Sequence, residues 1–138
     1  MASSELKLRY YESERDYPTV CEWWRAWDWP PIDQEILPEI GIVSEIDGVP
    51  AFCAWLYRTD SKMAWIGFPI SNREVRKKER CAAIDAAIAA LRELARTHGY
   101  TAFSAITNSK NLGARYEHAG MNAYDKNITH YLVRLSDA

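Results

Sequence analysis

The sequence predicts a single α/β domain with a mixed, mostly antiparallel sheet flanked by helices. Three observations predict it. Several segments alternate apolar and polar residues as strands do, others carry apolar residues at helical spacing, and an Asp47-Gly48 pair joins two strand-like segments as a hairpin turn would. At 138 residues the chain can bury one core and is too short for two ordinary domains, so we treat residues 1–138 as one domain.

The predicted elements follow one another with short connections. Residues 6–11 alternate as a strand, and the next segment is helical because Tyr17, Val20, Trp24 and Trp27 recur on one face. Two prolines then end this helix. Trp23 and Trp29 lie off the apolar stripe and are expected to be exposed. The full predicted order is strand 6–11, helix 13–29, strands 41–48, 49–59 and 63–71, helix 81–98, strand 101–106, helix 109–120 and strand 128–135.

The strand predicted at residues 63–71 is irregular. It contains Gly67 and Pro69, which central strands avoid because glycine packs no side chain and proline donates no hydrogen bond. We therefore expect a bulge here, or the close approach of another backbone or a ligand.

The helix that follows has the clearest pattern in the chain. Apolar residues repeat at helical spacing from Cys81 to Ala95, and Gly99 is placed as a C-terminal stop. A strand, a short helix ending near Gly120 and a last alternating strand complete the chain. The long helix between two strands predicts that these strands are parallel, whereas the hairpin strands are antiparallel.

Composition excludes several classes of protein. The net charge of −2 and the pI near 5.9 disfavour nucleic acid and anionic lipid as partners. No apolar run is long enough to span a membrane, so no membrane association and a cytoplasmic location are expected. The three cysteines are far apart and predict reduced thiols. His98, His118 and His130 are also far apart, and no metal site is predicted.

One short segment departs from the overall negative charge. Five cationic residues lie within residues 73–80, directly before the long helix: Arg73, Arg76, Lys77, Lys78 and Arg80. The start of a helix exposes unpaired N–H groups and carries partial positive charge, so this position favours an anion, and a pyrophosphate in particular. A solvated polar face is the alternative interpretation of such a run.

The element order, the interrupted strand, the basic turn and the long helix together resemble the GNAT superfamily of acyl-CoA-dependent N-acyltransferases. In that family the strand before the long helix is bulged and splays from its neighbour, and the pantetheine arm of CoA lies along it. The resemblance implies a GNAT-like sheet, acetyl-CoA as acyl donor, and an amine acceptor on a small molecule or a protein. It also implies that a homodimer is an option, since many relatives pair through strands.

The family's pyrophosphate turn, Q/R-x-x-G-x-G/A, falls on residues 76–81 of this chain. Arg76 matches the first position, whereas Glu79 and Cys81 stand at the glycine positions. The resemblance implies a CoA-binding set composed of Phe68, Ile70, Ser71, Arg73, Arg76, Lys77, Lys78, Glu79, Arg80, Cys81 and Asn111.

A second family pattern, N-x-x-A-x-x-L-Y-x-K-x-G-F, resembles residues 109–121. Tyr116 takes the tyrosine position, Gly120 the glycine and Met121 the phenylalanine, while Ser109 replaces the asparagine. The family's tyrosine commonly gives its proton to the departing CoA thiolate, which makes Tyr116 the catalytic candidate. A tyrosine that only packs the short helix on the sheet is the alternative.

The resemblance leaves the general base open. Backbone N–H groups at Phe68 and Ile70 are expected to polarise the thioester carbonyl, as an oxyanion hole does. Many relatives carry a glutamate on this strand, but the corresponding residue here is Gly67. The remaining candidates for the base are Glu45, Asp60 and His118.

The sequence therefore predicts an N-acyltransferase that moves an acetyl or other short acyl group to an amine by direct attack in a ternary complex. Two alternatives are kept. One is a non-catalytic GNAT-fold protein that binds CoA or another protein. The other is a nucleic-acid-directed module that uses the cations for phosphate contacts and the tryptophans for stacking.

Overall fold

A computed structural model describes residues 4–107 and 109–135 of the chain. It contains five strands, three α-helices and one short 3-10 turn in chain order. The elements are β1 (Leu6–Tyr10), α1 (Ser13–Ala26), the 3-10 turn (Gln34–Ile36), β2 (Gly41–Ile46), β3 (Val49–Tyr57), β4 (Met63–Ser71), α2 (Lys77–Thr97), β5 (Ala102–Ser104) and α3 (Lys110–His118).

The five strands form one sheet in the order β1-β2-β3-β4-β5. The first four strands are antiparallel neighbours, and β5 pairs with β4 in parallel, as the long helix between them requires. The turn from β2 to β3 has positive φ at Asp47 (51°) and Gly48 (80°), the geometry that two-residue hairpins favour. The predicted fold class is confirmed.

Helices cover both faces of the sheet. On one face, strand residues pack against α1 in a cluster that includes Trp24 and Trp55. On the other face, strand residues pack against α2 and α3 in a cluster that includes Ile88 and Tyr116. The buried hydroxyl of Ser44 on β2 donates to the carbonyl of Ala83 on α2 (2.8 Å) and so fixes the long helix against the sheet.

Several predicted boundaries and one predicted exposure are wrong. The first helix ends at Ala26, three residues before its predicted end at residue 29. The long helix begins at Lys77, four residues earlier than expected, because the cations continue the helical turn rather than precede it. The strand expected at residues 101–106 is shorter, from Ala102 to Ser104. Trp29 is exposed as expected, but Trp23 is only 7% exposed because it joins the cluster beneath α1.

The strand predicted at residues 128–135 is also absent. This segment has an alternating sequence but pairs with no strand, and its residues are exposed. A strand needs a partner edge, and instead the Arg134 side chain of this segment forms ion pairs with Asp33 and Glu35 at the 3-10 turn. No helix in the described residues is long and apolar enough to cross a membrane.

Candidate functional site

The sheet opens between β4 and β5. The two strands pair only at their beginnings, where Met63, Ala64 and Trp65 oppose residues 102–104. Beyond Trp65, the half of β4 from Ile66 to Ser71 has no strand on this side within the described residues. We call this opening the β4 gap.

A bulge lies within the open half of β4. Trp55 of β3 opposes Gly67 while Cys53 opposes Ile70, so β4 has one residue more than β3 across this interval. Phe68 takes up the irregularity with φ of 47°, a conformation that non-glycine residues rarely adopt. The bulge predicted from Gly67 and Pro69 is confirmed, and it turns the backbone near the gap away from regular pairing.

The absence of a side chain at Gly67 has a steric cause. A Cβ atom added there would lie 2.0 Å from Cε2 of Tyr57, which is far inside van der Waals contact. The Tyr57 ring also packs edge-on against Phe68, and its hydroxyl donates to the carbonyl of Ile36 in the 3-10 turn (2.7 Å). Burial raises the pKa of Tyr57 to about 12, so this phenol is a hydrogen-bond donor and not a base at neutral pH.

The open half of β4 leads within a few residues to the start of α2. Arg76 is the N-cap residue and its side chain makes no cap hydrogen bond. The first intrahelical bond in this turn is from the N–H of Arg80 to the carbonyl of Arg76 (2.8 Å). The N–H groups of Lys77, Lys78 and Glu79 therefore lack protein partners among the described residues, and the two lysine side chains are exposed beside them. Unpaired N–H groups at the start of a helix attract anions.

Two of the predicted phosphate ligands are engaged with α1 instead. The guanidinium groups of Arg73 and Arg80 lie over the ring of Trp27, at 5.0 and 5.8 Å from its centroid. The Trp27 indole N–H donates to the carbonyl of Ser71 (2.9 Å), and Arg73 donates to the carbonyl of Ala26 (2.9 Å). These contacts fasten the basic turn to the end of α1.

Glu79, an acidic residue in the first turn of α2, is paired with other side chains. The Glu79 carboxylate accepts a hydrogen bond from Ser4 Oγ (3.2 Å) and forms an ion pair with Arg76 (3.6 Å). Its charge is thus partly neutralised by the Arg76 guanidinium. Cys81 is a free, half-buried thiol in the second turn of α2, and Asn111 is exposed in the first turn of α3.

Tyr116 lies in the same buried cluster as Ile66 of β4 and Ala83 of α2. The residue is 7% exposed, and its hydroxyl is buried without a hydrogen-bond partner among the described residues. Burial raises the pKa of this phenol well above its ordinary value, so the group is protonated at neutral pH and available as a proton donor.

The three base candidates lie away from the bulge. The Glu45 carboxylate accepts from Arg9 Nε (2.9 Å) in an ion-pair group that also contains Asp16 of α1, on the β1 side of the sheet. His118 is on the exposed side of α3, with Nε2 3.9 Å from a carboxylate oxygen of Asp85. Asp60 lies in the turn before β4, at the end where β4 and β5 are paired. The structure therefore does not bring Glu45 or His118 together with Phe68.

Side chains of the predicted CoA-binding set are not all available to a ligand. Ile70 is 2% exposed and packs toward α1, and its backbone is paired with Cys53 of β3, so it offers no group to a ligand in the β4 gap. The roles of Trp27 and Tyr57 were missed because both depend on partners 10 or more residues away in the sequence. The sequence signal for the Tyr57 contact was the glycine at position 67, which indicated that another group lies close to the backbone there.

No protein-family model matches the sequence, and no curated protein sequence is significantly similar to it. Solved structures are similar in fold. An aminoglycoside N-acetyltransferase in complex with CoA is similar over 95% of this chain and 97% of its own, with a TM-score of 0.65 and 17% identity.

Two further structures have comparable similarity. Glucosamine-6-phosphate N-acetyltransferase from Arabidopsis thaliana has a TM-score of 0.65 and 13% identity, over 94% of this chain and 99% of its own. Diaminobutyrate acetyltransferase from Paenibacillus lautus, in complex with its substrate and coenzyme A, has a TM-score of 0.64 and 16% identity. The similarity covers 86% of this chain and 75% of its own. The predicted GNAT-like fold is thereby confirmed.

Proposed function

We propose that this chain, which has the GNAT fold, is an N-acyltransferase that moves an acetyl or other short acyl group from acyl-CoA to an amine. The observation that carries the proposal is the continuity of two features. The unpaired half of β4, with the Phe68 bulge, leads directly to the uncapped start of α2. An extended ligand with a diphosphate at one end matches this arrangement.

The start of α2 fits a diphosphate without the glycines of the family pattern. The three N–H groups from Lys77 to Glu79 supply hydrogen-bond donors, and the exposed lysine side chains add positive charge. Glu79 does not block these donors because its carboxylate is paired with Arg76 and Ser4. Arg73 and Arg80 act indirectly, by holding the turn on Trp27.

The open half of β4 holds the pantetheine arm and the acyl group. Backbone groups on the β5 side of residues 66–71 have no strand partner, so they are free to bind the amides of the arm as a neighbouring strand would. At the bulge, the N–H group of Phe68 polarises the thioester carbonyl, since Pro69 has none and the N–H of Ile70 faces Cys53 of β3.

Tyr116 supplies the proton that the departing thiolate needs. Its hydroxyl is an unpartnered buried donor in the cluster between β4, α2 and α3. An unpartnered buried hydroxyl costs free energy, so a ligand atom that accepts its hydrogen bond is favoured. Since burial keeps this phenol protonated, it acts as the general acid when the C–S bond breaks.

The acceptor is an amine on a small molecule or on a protein side chain. The fold neighbours are named for an aminoglycoside, glucosamine 6-phosphate and diaminobutyrate, all of them small-molecule amines. The 3-10 turn and the segment around it flank the bulge through Tyr57, and we place the acceptor on that side.

The proposal is tested in two steps. Thermal unfolding with CoA at a hundredfold excess over its dissociation constant should show about 2.7 kcal/mol of stabilisation. Thiol release from acetyl-CoA is then measured with a panel of amines: 2,4-diaminobutyrate, glucosamine 6-phosphate, an aminoglycoside and a lysine-containing peptide. Amine-dependent thiol release supports transfer, whereas the absence of CoA binding contradicts the proposal.

One observation favours a second candidate function, CoA binding without transfer. On the face where Tyr57 covers Gly67, β4 projects no carboxylate at the bulge, and the Glu45 carboxylate is paired with Arg9. Under this alternative CoA stabilises the protein, yet no amine in the panel releases thiol above the rate seen without amine.

A further inference from the structure

The C-terminal segment brings an imidazole to the bulge. The ring of His130 lies 6.1 Å from the ring of Phe68, centroid to centroid, at an interplanar angle of 36°. Phe68 is thereby flanked by two rings, since the ring of Tyr57 on β3 also packs on it, with 6.1 Å between the two ring centroids. His130 is exposed, and its ring nitrogens form no hydrogen bond or ion pair within residues 4–107 and 109–135.

The same segment is anchored on the acceptor side. Four residues after His130, the guanidinium of Arg134 forms ion pairs with Asp33 and with Glu35, the latter at 2.5 Å. These carboxylates lie at the start of the 3-10 turn, and that turn is bonded to Tyr57 through Ile36. Arg134 therefore holds the segment in the position where the His130 ring lies beside Phe68.

The other two histidines lie elsewhere and are not beside the bulge. His118 lies on the exposed side of α3 beside Asp85, and His98 follows α2 with its Nδ1 2.8 Å from the carbonyl of Leu94. Histidine is the residue type that gains and loses a proton between pH 5 and 8, which suits a general base at neutral pH.

We propose that His130 is the general base that removes a proton from the acceptor amine, and that Arg134 is a positioning residue for it. The proposal rests on the proposed function. The neutral imidazole takes one proton from the acceptor ammonium, and the freed lone pair forms a C–N bond with the acyl carbon. The C–S bond breaks as Tyr116 protonates the sulfur. The second amine proton restores the Tyr116 phenol through solvent, and His130 releases its proton to water.

The charged and titratable groups around His130 come from three elements. Tyr57 of β3 packs on Phe68 at the bulge. Asp33 and Glu35 lie at the 3-10 turn, and Arg134 of the C-terminal segment forms ion pairs with both. Because Arg134 is paired with both carboxylates, loss of Arg134 alters both the position of His130 and its electrostatic surroundings. Arg134 thus has a role that conservative replacement by lysine partly preserves.

The test compares His130→Gln with wild type, using His98→Gln as a matched control. Acetyl transfer is followed with the panel amine that reacts fastest. We expect His130→Gln to lower kcat/KM by a hundredfold or more at pH 7, with CoA affinity changed less than twofold. The deficit shrinks at high pH, where the amine is already neutral, and added imidazole restores part of the rate. His98→Gln behaves as wild type.

Arg134→Gln provides a second readout. We expect a smaller loss of kcat/KM than for His130→Gln, partial recovery in Arg134→Lys, and unchanged CoA affinity. The His130 proposal is overturned if wild type transfers acetyl and His130→Gln keeps the wild-type rate and pH profile, or if His118→Gln shows the loss instead. Absence of transfer by wild type contradicts the proposed function itself, and His130 then has no such role.

Discussion

The ring of Tyr57 lies so close to the Gly67 backbone that a Cβ atom at position 67 would be 2.0 Å from it. This contact joins the end of β3 to the bulge of β4, and the Tyr57 hydroxyl extends the connection to the 3-10 turn. An acidic side chain at position 67 is therefore excluded by Tyr57 in this chain.

Gly67→Ala should lower the free energy of unfolding by roughly 1–3 kcal/mol, since the added methyl group overpacks a filled position. In a Tyr57→Ala background the same change should cost much less, which gives a coupling energy of about 0.5–3 kcal/mol in a double-mutant cycle. Urea unfolding of the four proteins measures it. Gly113→Ala is the matched control, because its Cβ would meet only Thr107 Cγ2 at 3.9 Å. Additive effects at positions 57 and 67 would show that the contact is not formed.

Tyr116→Phe should have opposite effects on stability and turnover. Removing an unpartnered buried hydroxyl should stabilise the free protein by about 1 kcal/mol. Loss of the general acid should lower kcat about a hundredfold, with CoA affinity nearly unchanged. Tyr100→Phe is the control for stability, since its hydroxyl donates to Thr59 (3.0 Å) and its removal should destabilise. Full turnover in Tyr116→Phe would remove Tyr116 from the mechanism.

Reversing the charge of the two exposed lysines in the first turn of α2 should weaken CoA binding. Lys77→Glu with Lys78→Glu places two negative charges beside the free N–H groups of α2, and we expect at least a tenfold loss of affinity at low salt. Calorimetric titration with CoA measures the change. Lys62→Glu, at the opposite end of β4, is the control and should bind as wild type. Equal losses at Lys62 and at the helix would indicate a general charge effect and no local site.

The Arg9–Asp16 ion pair should make stability depend on pH. Burial opposes ionisation of Asp16, but hydrogen bonds from Arg9 and from the Glu12 backbone outweigh it, so the pKa of this carboxyl is lowered. Its stabilising contribution is present above the unfolded pKa of about 4 and is lost as pH falls through the folded value.

Asp16→Asn should therefore destabilise the protein by roughly 3 kcal/mol at pH 7 and progressively less in acid. The control is Glu14→Gln, which changes an exposed carboxylate in the same helical turn. Urea unfolding at several pH values compares them. A constant difference between Asp16→Asn and wild type from pH 7 down to pH 2 would contradict the role of this ion pair.

The sequence predicted the features of the fold that arise from local patterns. The Asp47-Gly48 turn, the bulge near Gly67 and Pro69, and the parallel pairing across the long helix all follow from residue preferences within a few positions. The start of α2 was placed too late because the cations of residues 77–80 carry no apolar period and look like a turn, although they are good helix formers.

Features that depend on distant partners were not predicted. The alternation in residues 128–135 indicates a strand, but whether a strand forms depends on a free edge and on competing contacts such as Arg134 with Asp33 and Glu35. The proximity of His130 to Phe68 depends on the same path of the chain. Glu45 was a reasonable base candidate by residue type, and only its pairing with Arg9 shows that the carboxylate is already used.

The central claim is that acyl-CoA occupies the β4 gap and the start of α2. The most direct measurement is an amide chemical-shift titration of the isotopically labelled protein with CoA. We expect the largest shifts at residues 66–71 and at Lys77, Lys78 and Glu79, with little change in β1. Saturating CoA that shifts none of these amides, or that shifts only residues on the β1 side of the sheet, would contradict the account.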